Sequence, residues 1–298
     1  MPGEAPVVHL IDASVYVFRA YHSLPPMAAL DGTPTQAAYG FANTLLRYLR
    51  ESGATHAAAC FDHSMQSFRN ALEPSYKAQR GETPADLAPQ FEIAARVAAA
   101  MGVAVFEVPD FEADDCIATL ASAVVARGAR GVVVSSDKDL AQLVSEDGSV
   151  VLHDLGRGET FDADGVRERF GVDPGQIPDW LGLAGDAVDN LPGIPGVGRK
   201  GAAALLRAFG RIEAIPEDPG AWEGHRLRGA ARLAALVAEH RARGLRTREL
   251  ATVRRDVPGL RVGLAELRVR DPEPTEALPL FESLGWGRIA TRVLQRSG

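Results

Sequence analysis

Four short apolar runs, three of them closed by an aspartate, punctuate the first half of the chain: PVVHLID (6–12), HAAACFD (56–62), VAVFEV (103–108) and GVVVSSD (131–137). Their continuity, with no regular polar alternation, predicts strands buried on both faces. Between them the period changes. Residues 35–53 put Ala38, Phe41, Leu45 and Leu49 on one helical face and stop at Gly53. Residues 89–102 also end in glycine, and residues 112–128 open with acids and close with Arg127-Gly128. Acids suit a helix N-terminus and glycine suits its end. A fifth strand is expected at 149–155. This alternation predicts an α/β fold, a mainly parallel central sheet with helices on both faces. Beyond residue 155 the strands stop, and residues 160–250 read as helices and turns.

Two stretches interrupt the pattern. Residues 64–89 are polar and proline-broken, far longer than the roughly 2–6 residues of an ordinary βα loop. Such insertions at strand ends act as lids or binding elements. Residues 191–210, LPGIPGVGRKGAAALLRAFG, pair a glycine-rich turn with a helix. The expected organisation is a catalytic α/β domain at 1–158 carrying the insertion 64–89, a helical region at 159–258 with the glycine-rich segment at 191–210, and a tail at 259–298 packed on the body.

Composition narrows the class. The chain has 298 residues, 46% hydrophobic and 24% charged, which is globular. No apolar run reaches the roughly 18 residues of a membrane span. The opening shows neither a basic n-region nor an apolar h-region, so a cytoplasmic protein is expected. No oligomerisation motif shows, so a monomer is expected. Cys60 and Cys116 sit among apolar neighbours without a CxxC pair, as buried small residues do. The net charge of −7 hides a split: thirteen basic against six acidic residues between Arg199 and Arg255 leave that segment at +7 and the remainder at −14. A phosphate-binding surface and a solvated arginine-rich helical region account equally well for that charge.

The acids carry the candidate chemistry. Asp12 and Asp62 end the first two strands; Glu112, Asp114 and Asp115 follow the third; Asp137 and Asp139 end the fourth. A parallel sheet binds ligands outside its carboxyl ends. The stretch GDAVDN adds Asp186 and Asp189, three residues apart. Any one of these is an ordinary turn or cap residue. As a set they conflict, since two like charges 4 Å apart repel by about 4 kcal/mol at an effective dielectric near 20. Such a cluster must hold protons or bind cations. Oxygen donors without His or Cys suit Mg²⁺ or Mn²⁺ rather than zinc. Several acids on one edge suit two ions, about 3.5–4 Å apart, clamping a phosphodiester. The Asp-Lys-Asp of SSDKDL implies that the chain leaves the sheet by Asp137, with Lys138 directed outward. There is no G-x-x-x-x-G-K-[ST] loop, and Ser14 stands where a phosphatase with an Asp12 nucleophile would place its second Asp.

Gly193, Gly196 and Gly198 permit tight turns before a helix that Arg199 and Lys200 open. That N-terminus is a candidate clamp on a DNA backbone; the alternative is a packing turn between two helices. In the insertion, Arg69, Lys77 and Arg80 are candidates to steer a scissile phosphate, with Arg19 reaching the same group and Tyr76 stacking on a base. For Lys77 and Arg80 the alternative is a solvated face. Trp180, Trp222 and Trp286 are expected in the core.

The successive segments LIDASVYVFRAYHSLP, FDHSMQSFRNALEPSYKAQR, FEADD, SSDKDLAQLV and GDAVDNLPGIPGVGRKGAAALL resemble, in order, the motifs of the structure-specific 5′ nucleases. That family comprises the flap endonucleases and the N-terminal 5′→3′ exonuclease domain of bacterial DNA polymerase I. The resemblance runs from about residue 7 to residue 255. It implies a PIN-like fold followed by a helix–hairpin–helix-type region. It implies that Asp12, Asp62, Glu112 and Asp114 hold a first Mg²⁺ and that Asp137, Asp139 and Asp186 hold a second, Asp115 and Asp189 assisting through water. Lys77 and Arg80 match basic residues of a helical arch that admits a 5′ single strand, and Arg19 matches a basic residue at its entrance. The loop Gly193–Gly198 matches a duplex grip that often holds K⁺. The substrates implied are DNA 5′ ends, flaps and nicks, with RNA primers beside them. Both acid groups are kept, so an active enzyme is expected. The chain stops at residue 298, so no polymerase or proofreading domain is expected to follow. A non-catalytic DNA-binding scaffold and an acid-lined RNase are the rival readings. The first would be favoured by lost acids, and RNases of the second kind are usually much shorter and lack the glycine-rich clamp.

Overall fold

The computed structural model describes residues 5–225 and 227–295. Along the chain come β1 (Val7–Asp12), α1 (Ala13–Ser23), α2 (Gln36–Ser52), β2 (His56–Phe61), α3 (Phe68–Leu72), α4 (Ala88–Ala100), β3 (Ala104–Glu107), α5 (Ala113–Val125), β4 (Arg130–Val134), β5 (Val150–Asp154), β6 (Glu159–Phe161), α6 (Ala163–Phe170), α7 (Ile177–Ala184), α8 (Arg199–Phe209), α9 (Ala230–Ala251), α10 (Pro274–Ser283) and α11 (Gly287–Leu294). The strands form one sheet in the order β3-β2-β1-β4-β5-β6. The first five are parallel, as the unbroken apolar runs require. Side chains alternate across the sheet. Val8, Leu10, Cys60 and Val133 therefore pack with α5 on one face. Ile11, Ala57, Ala59, Phe61 and Val134 pack with α1, α2 and α4 on the other.

The structure corrects one boundary. Strands do not stop at residue 155: β6 returns antiparallel to β5, with Leu152 opposite Phe161. Its three residues, Glu-Thr-Phe, carry no apolar run, because an exposed edge strand has only one partner to satisfy. The 64–89 insertion is largely non-helical, holding α3, a short turn at Ala78–Arg80 and the start of α4. The tail closes the rim of the sheet opposite the acids. Val269 and Arg270 donate backbone N–H groups to the Thr55 and Gly102 carbonyls, and Phe281, Ile289 and Val293 complete the α2/α4 core. All three tryptophans are buried. Among the described residues no helix is long and apolar enough to cross a membrane.

In the helical region α7 lies against α9 through two glycines. A Cβ at Gly182 would stand 2.7 Å from the Gly244 carbonyl oxygen and 2.8 Å from Ile212 Cδ1. The helices approach this closely only because neither position carries a side chain. Gly182→Ala is expected to destabilise the protein by about 1–3 kcal/mol, the usual cost of overpacking. Gly175→Ala, in open space, should be near neutral. Equal unfolding midpoints for the two variants in a thermal melt would refute this account of the crossing.

Candidate active site

β1 leads outward to β2 and β3 on one side, while β4 and β5 lie on the other. The strand order reverses between β1 and β4, and the crevice outside their carboxyl ends is where such sheets bind ligands. The sequence-predicted acids gather around it. Asp12 ends β1 and caps α1, with Oδ1 accepting from the Val15 N–H at 3.3 Å and Oδ2 from Ser135 Oγ at 2.7 Å. Asp62, just past β2, accepts from the Ala113 N–H at 2.8 Å, and its own N–H donates to Ser14 Oγ. Glu112 caps α5 and Asp114 sits in its first turn. Past β4, Asp137 caps a 3-10 turn, Lys138–Leu143, by accepting from the Asp139 N–H at 2.9 Å. Asp186 and Asp189 come from the loop after α7, closed by a bridge between Asp186 and Leu191.

These groups act on one another electrically. Burial pushes Asp12 up to about 7, with Asp62 and Asp137 adding repulsion and the Ser135 hydroxyl opposing. Burial likewise pushes Asp139 up to about 8, with Asp137, Asp189 and Asp186 repelling it against the pull of Lys138. Asp114 is driven well above the carboxylate range by burial, Asp12 and Asp137. Asp62 and Asp189 are raised by burial, and Lys77 opposes both shifts. Glu112 is the exception: burial works against its charge, yet Lys77 and Arg69 hold it down to about 2. The Asp139 Oδ1 atom is buried without a hydrogen bond. Among the described residues no three of these acids are drawn together tightly enough to enclose an ion as they stand. Protein cations stand between them instead. Lys77 Nζ lies 2.8 Å from Glu112 and 3.9 Å from Asp189, and Arg80 pairs with Asp189.

Several sequence expectations change here. Lys138 does not point outward: its ammonium pairs with Asp186 and lies 3.4 Å from Asp139. The chain has left the sheet by Asp137, but the 3-10 turn swings Lys138 back across the acids. Arg69 does not reach toward a phosphate. It is buried in a bidentate pair with Asp115, at 2.7 and 2.8 Å, and donates to the Leu250 and Thr252 carbonyls. Asp115 is accordingly saturated, accepting also from the N–H groups of Glu112 and Arg254. Tyr76 is 4% exposed, its hydroxyl 3.3 Å from Glu112, so its ring offers no stacking face. Gly193 (φ 57°) is buried and packs backbone to backbone on Gly185. Arg19 is exposed two turns along α1 and lies against Gly156. Gly196, Gly198, Arg199 and Lys200 are exposed, and Gly198 caps α8 with no side chain over its free N–H groups. The orienting hydroxyls of Ser14, Ser67 and Ser135 escaped the sequence reading, as did Gln142. Each lies within one of the acid-bearing segments that resemble the family's motifs, and that position is the signal by which they could have been found.

Comparison with known proteins matches two successive family models to the chain. Residues 7–171 match the family described as 5′-3′ exonuclease, N-terminal resolvase-like domain, and residues 172–275 match 5′-3′ exonuclease, C-terminal SAM fold. DNA polymerase I of Mycobacterium tuberculosis is 40% identical over 257 residues, covering 85% of this chain and 28% of that protein. DNA polymerase I of Pseudomonas aeruginosa is 38% identical over 290 residues, covering 95% of this chain and 31% of that protein. The chain thus spans under a third of the length of these relatives. The zinc-bound T5 5′-exonuclease superposes with a TM-score of 0.68 at 17% identity, covering 97% of this chain and 98% of that one. The catalytic core of Rad2 in complex with DNA substrate gives 0.64 at 14% identity, covering 98% and 92%. At these identities the two structures attest the shared fold. With both of its domains matched in order, the chain belongs to the 5′-3′ exonuclease family.

Proposed function

We propose that this chain is a divalent-metal-dependent 5′ nuclease that hydrolyses DNA phosphodiester bonds at 5′ ends, nicks and 5′ flaps, with RNA primers in the same substrate range. The observation that carries the reading is the crowd of buried, mutually repelling carboxylates at the β1/β4 crevice. Their donors are all oxygen, Asp139 keeps a buried oxygen without a hydrogen bond, and Asp12 and Asp139 are pushed to about 7 and about 8. Hard divalent cations fit that set, and Mg²⁺ is the one we assign. Asp12, Asp62, Glu112 and Asp114 would hold one ion, and Asp137, Asp139 and Asp186 the second, Asp189 assisting. The Arg69 pairing assigns Asp115 to support of the α5 turn. Two such ions, when bound, supply an activated water and neutralise charge on the phosphate.

The remaining roles fall to the chain's own groups. Lys77 and Arg80, which pair with Glu112 and Asp189, are the basic side chains that would bind the scissile phosphate. Ser135 and Ser14 hold the Asp12 carboxylate and the Asp62 backbone. Arg19 meets the strand at the entrance. The open α8 N-terminus with Arg199 and Lys200 grips the duplex backbone, and the carbonyls of Gly193–Gly198 are the proposed seat for K⁺. A monomer working in the cytoplasm completes the reading.

Asp137→Asn and Asp139→Asn should each lower cleavage of a labelled 5′-flap DNA by more than the roughly 10–100-fold that loss of a merely supporting group costs. Flap binding should stay near wild type. Wild-type turnover in either variant sinks the assignment, and binding without cleavage in the wild type favours a DNA-binding scaffold. Lys77→Ala should slow single-turnover cleavage by about 10²–10³-fold while weakening affinity much less; an unchanged rate would leave Lys77 only a charge partner of Glu112.

Stability should also depend on pH in a set direction. Asp12 and Asp139 keep protons in the folded chain up to about 7 and about 8, against an ordinary value of 3.8. The folded state therefore binds more protons than the unfolded one. Ion-free stability from these groups is full below the ordinary value and is lost as pH rises through about 7–8. Mg²⁺ competes with those protons, so its stabilising shift in the melting midpoint should be larger at about pH 8 than at about pH 5.5. Equal shifts at both pH values would contradict it.

A further inference from the structure

α9 joins two places that the sequence keeps far apart. Its 22 residues make a rod of about 33 Å at 1.5 Å per residue. Near its start, Arg232 and Leu236 lie against Gly196 of the exposed glycine-rich turn; a Cβ there would stand 3.3 Å from Arg232 Nη2 and 3.2 Å from Leu236 Cδ1. At its other end, residues 250–255 are bonded to both halves of the carboxylate cluster. Toward the first half, Leu250 and Thr252 accept from Arg69, and the Arg254 N–H donates to Asp115, which also receives the Glu112 N–H. Toward the second half, the buried Gln142 amide is fully engaged. Its Nε2 donates to the Asp139 carbonyl at 2.9 Å and the Ala251 carbonyl at 3.0 Å, while its Oε1 accepts from the Val253 N–H at 3.0 Å. Between the two ends α9 is clamped on α7 by Gly182 and Gly244, and α7 runs directly into the Asp186 loop.

Resting on the nuclease reading above, we propose that α9 is a rigid strut which transmits duplex engagement to the metal-binding acids, with Gln142 the positioning residue that connects it to the Asp139 turn. Gln142 bonds only backbone groups and none of the acid oxygens. It fixes the turn that presents Asp137 and Asp139, and it does so only while residues 251–253 stay in place. Arg69 performs the matching task for the α5 turn. Arg243, exposed on α9, belongs to the face that a duplex lying along the strut would meet. Duplex bound along α9, remote from the cleaved bond, is then worth rate as well as affinity.

The test uses two flap DNAs with the same flap and junction. One carries about 5 base pairs and the other about 20, against the roughly ten base pairs a 33 Å helix spans at 3.4 Å each. Wild type should cleave the longer one about tenfold faster at saturation, a coupling within the usual 5–150-fold. Gln142→Leu should reduce that advantage to within about twofold while affinity for the longer DNA moves no more than about twofold. A rate lost equally on both DNAs makes Gln142 a local support and overturns the strut, as does an unchanged advantage. Arg243→Ala tests the same idea without disturbing the interior: its saturating rate on the longer DNA should fall toward that on the shorter one. If only its KM rises, α9 contributes uniform binding and the proposal fails. Amide exchange with chelator present separates this from the nuclease reading. The longer DNA should slow exchange across residues 137–143 and 250–255 in wild type even if no DNA is ever cleaved. Protection confined to the glycine-rich turn would overturn the strut.

Discussion

Like charge held out of water is the constraint from which the rest of this structure follows. A parallel sheet ends its central strands at one crevice, and this chain ends them in carboxylates. The same burial that protects the apolar strands strips solvent from Asp12, Asp114 and Asp139 and lifts them far from their ordinary range. The molecule answers with two kinds of compensation. Fixed donors, among them the Ser135 and Ser67 hydroxyls and the Ala113 N–H, hold individual oxygens. Side-chain cations on the insertion and the 3-10 turn, Lys77, Arg80 and Lys138, offset part of what remains. Unlike the fixed donors, these are charges on long side chains, borrowed from segments outside the sheet.

One pair among these is of a different character. Arg69 and Asp115 are both removed from solvent, with all three guanidinium nitrogens and both carboxylate oxygens hydrogen-bonded. Removing one partner of such a buried pair costs far more than the pair contributes, because the other charge is stranded. Its value lies in register: it fixes the base of the insertion, the α5 turn and the end of α9 relative to one another.

Much of this was legible in the sequence. The buried strands β1, β2 and β4, the α2 stop at Gly53 and the acids at the strand ends follow from apolar continuity and from where that continuity breaks, whereas β3, read as equally buried, lies at the sheet edge with its residues only partly covered. β6 was not legible, because a three-residue edge strand has no apolar period to detect. Nor was the sorting of the basic residues. Arg69, Lys77 and Arg80 lie within twelve residues of one another and read alike, yet one is interior and two face the crevice. That distinction depends on Asp115, Leu250 and Thr252, partners whose nearness only the folded chain reveals. Tyr76 fails for the same reason, since an aromatic in a polar loop looks exposed until the loop folds down on Glu112. Gln142 carries no charge, and although it lies within SSDKDLAQLV, two of its three bonds reach more than a hundred residues along the chain.

The tail has a meaning for synthesis. Phe281, Ile289 and Val293 fill the core beneath α2 and α4, and the Arg270 N–H bonds to Gly102 across the rim. The α/β unit read from residues 1–158 is therefore not closed by its own residues. Contacts of such long sequence separation are slow to form, so a chain emerging from the ribosome carries an open apolar flank until residues 269–293 have appeared. Over that interval the sheet is assembled but unsealed, and the exposed flank is the surface on which a chaperone or a misfolding partner would act.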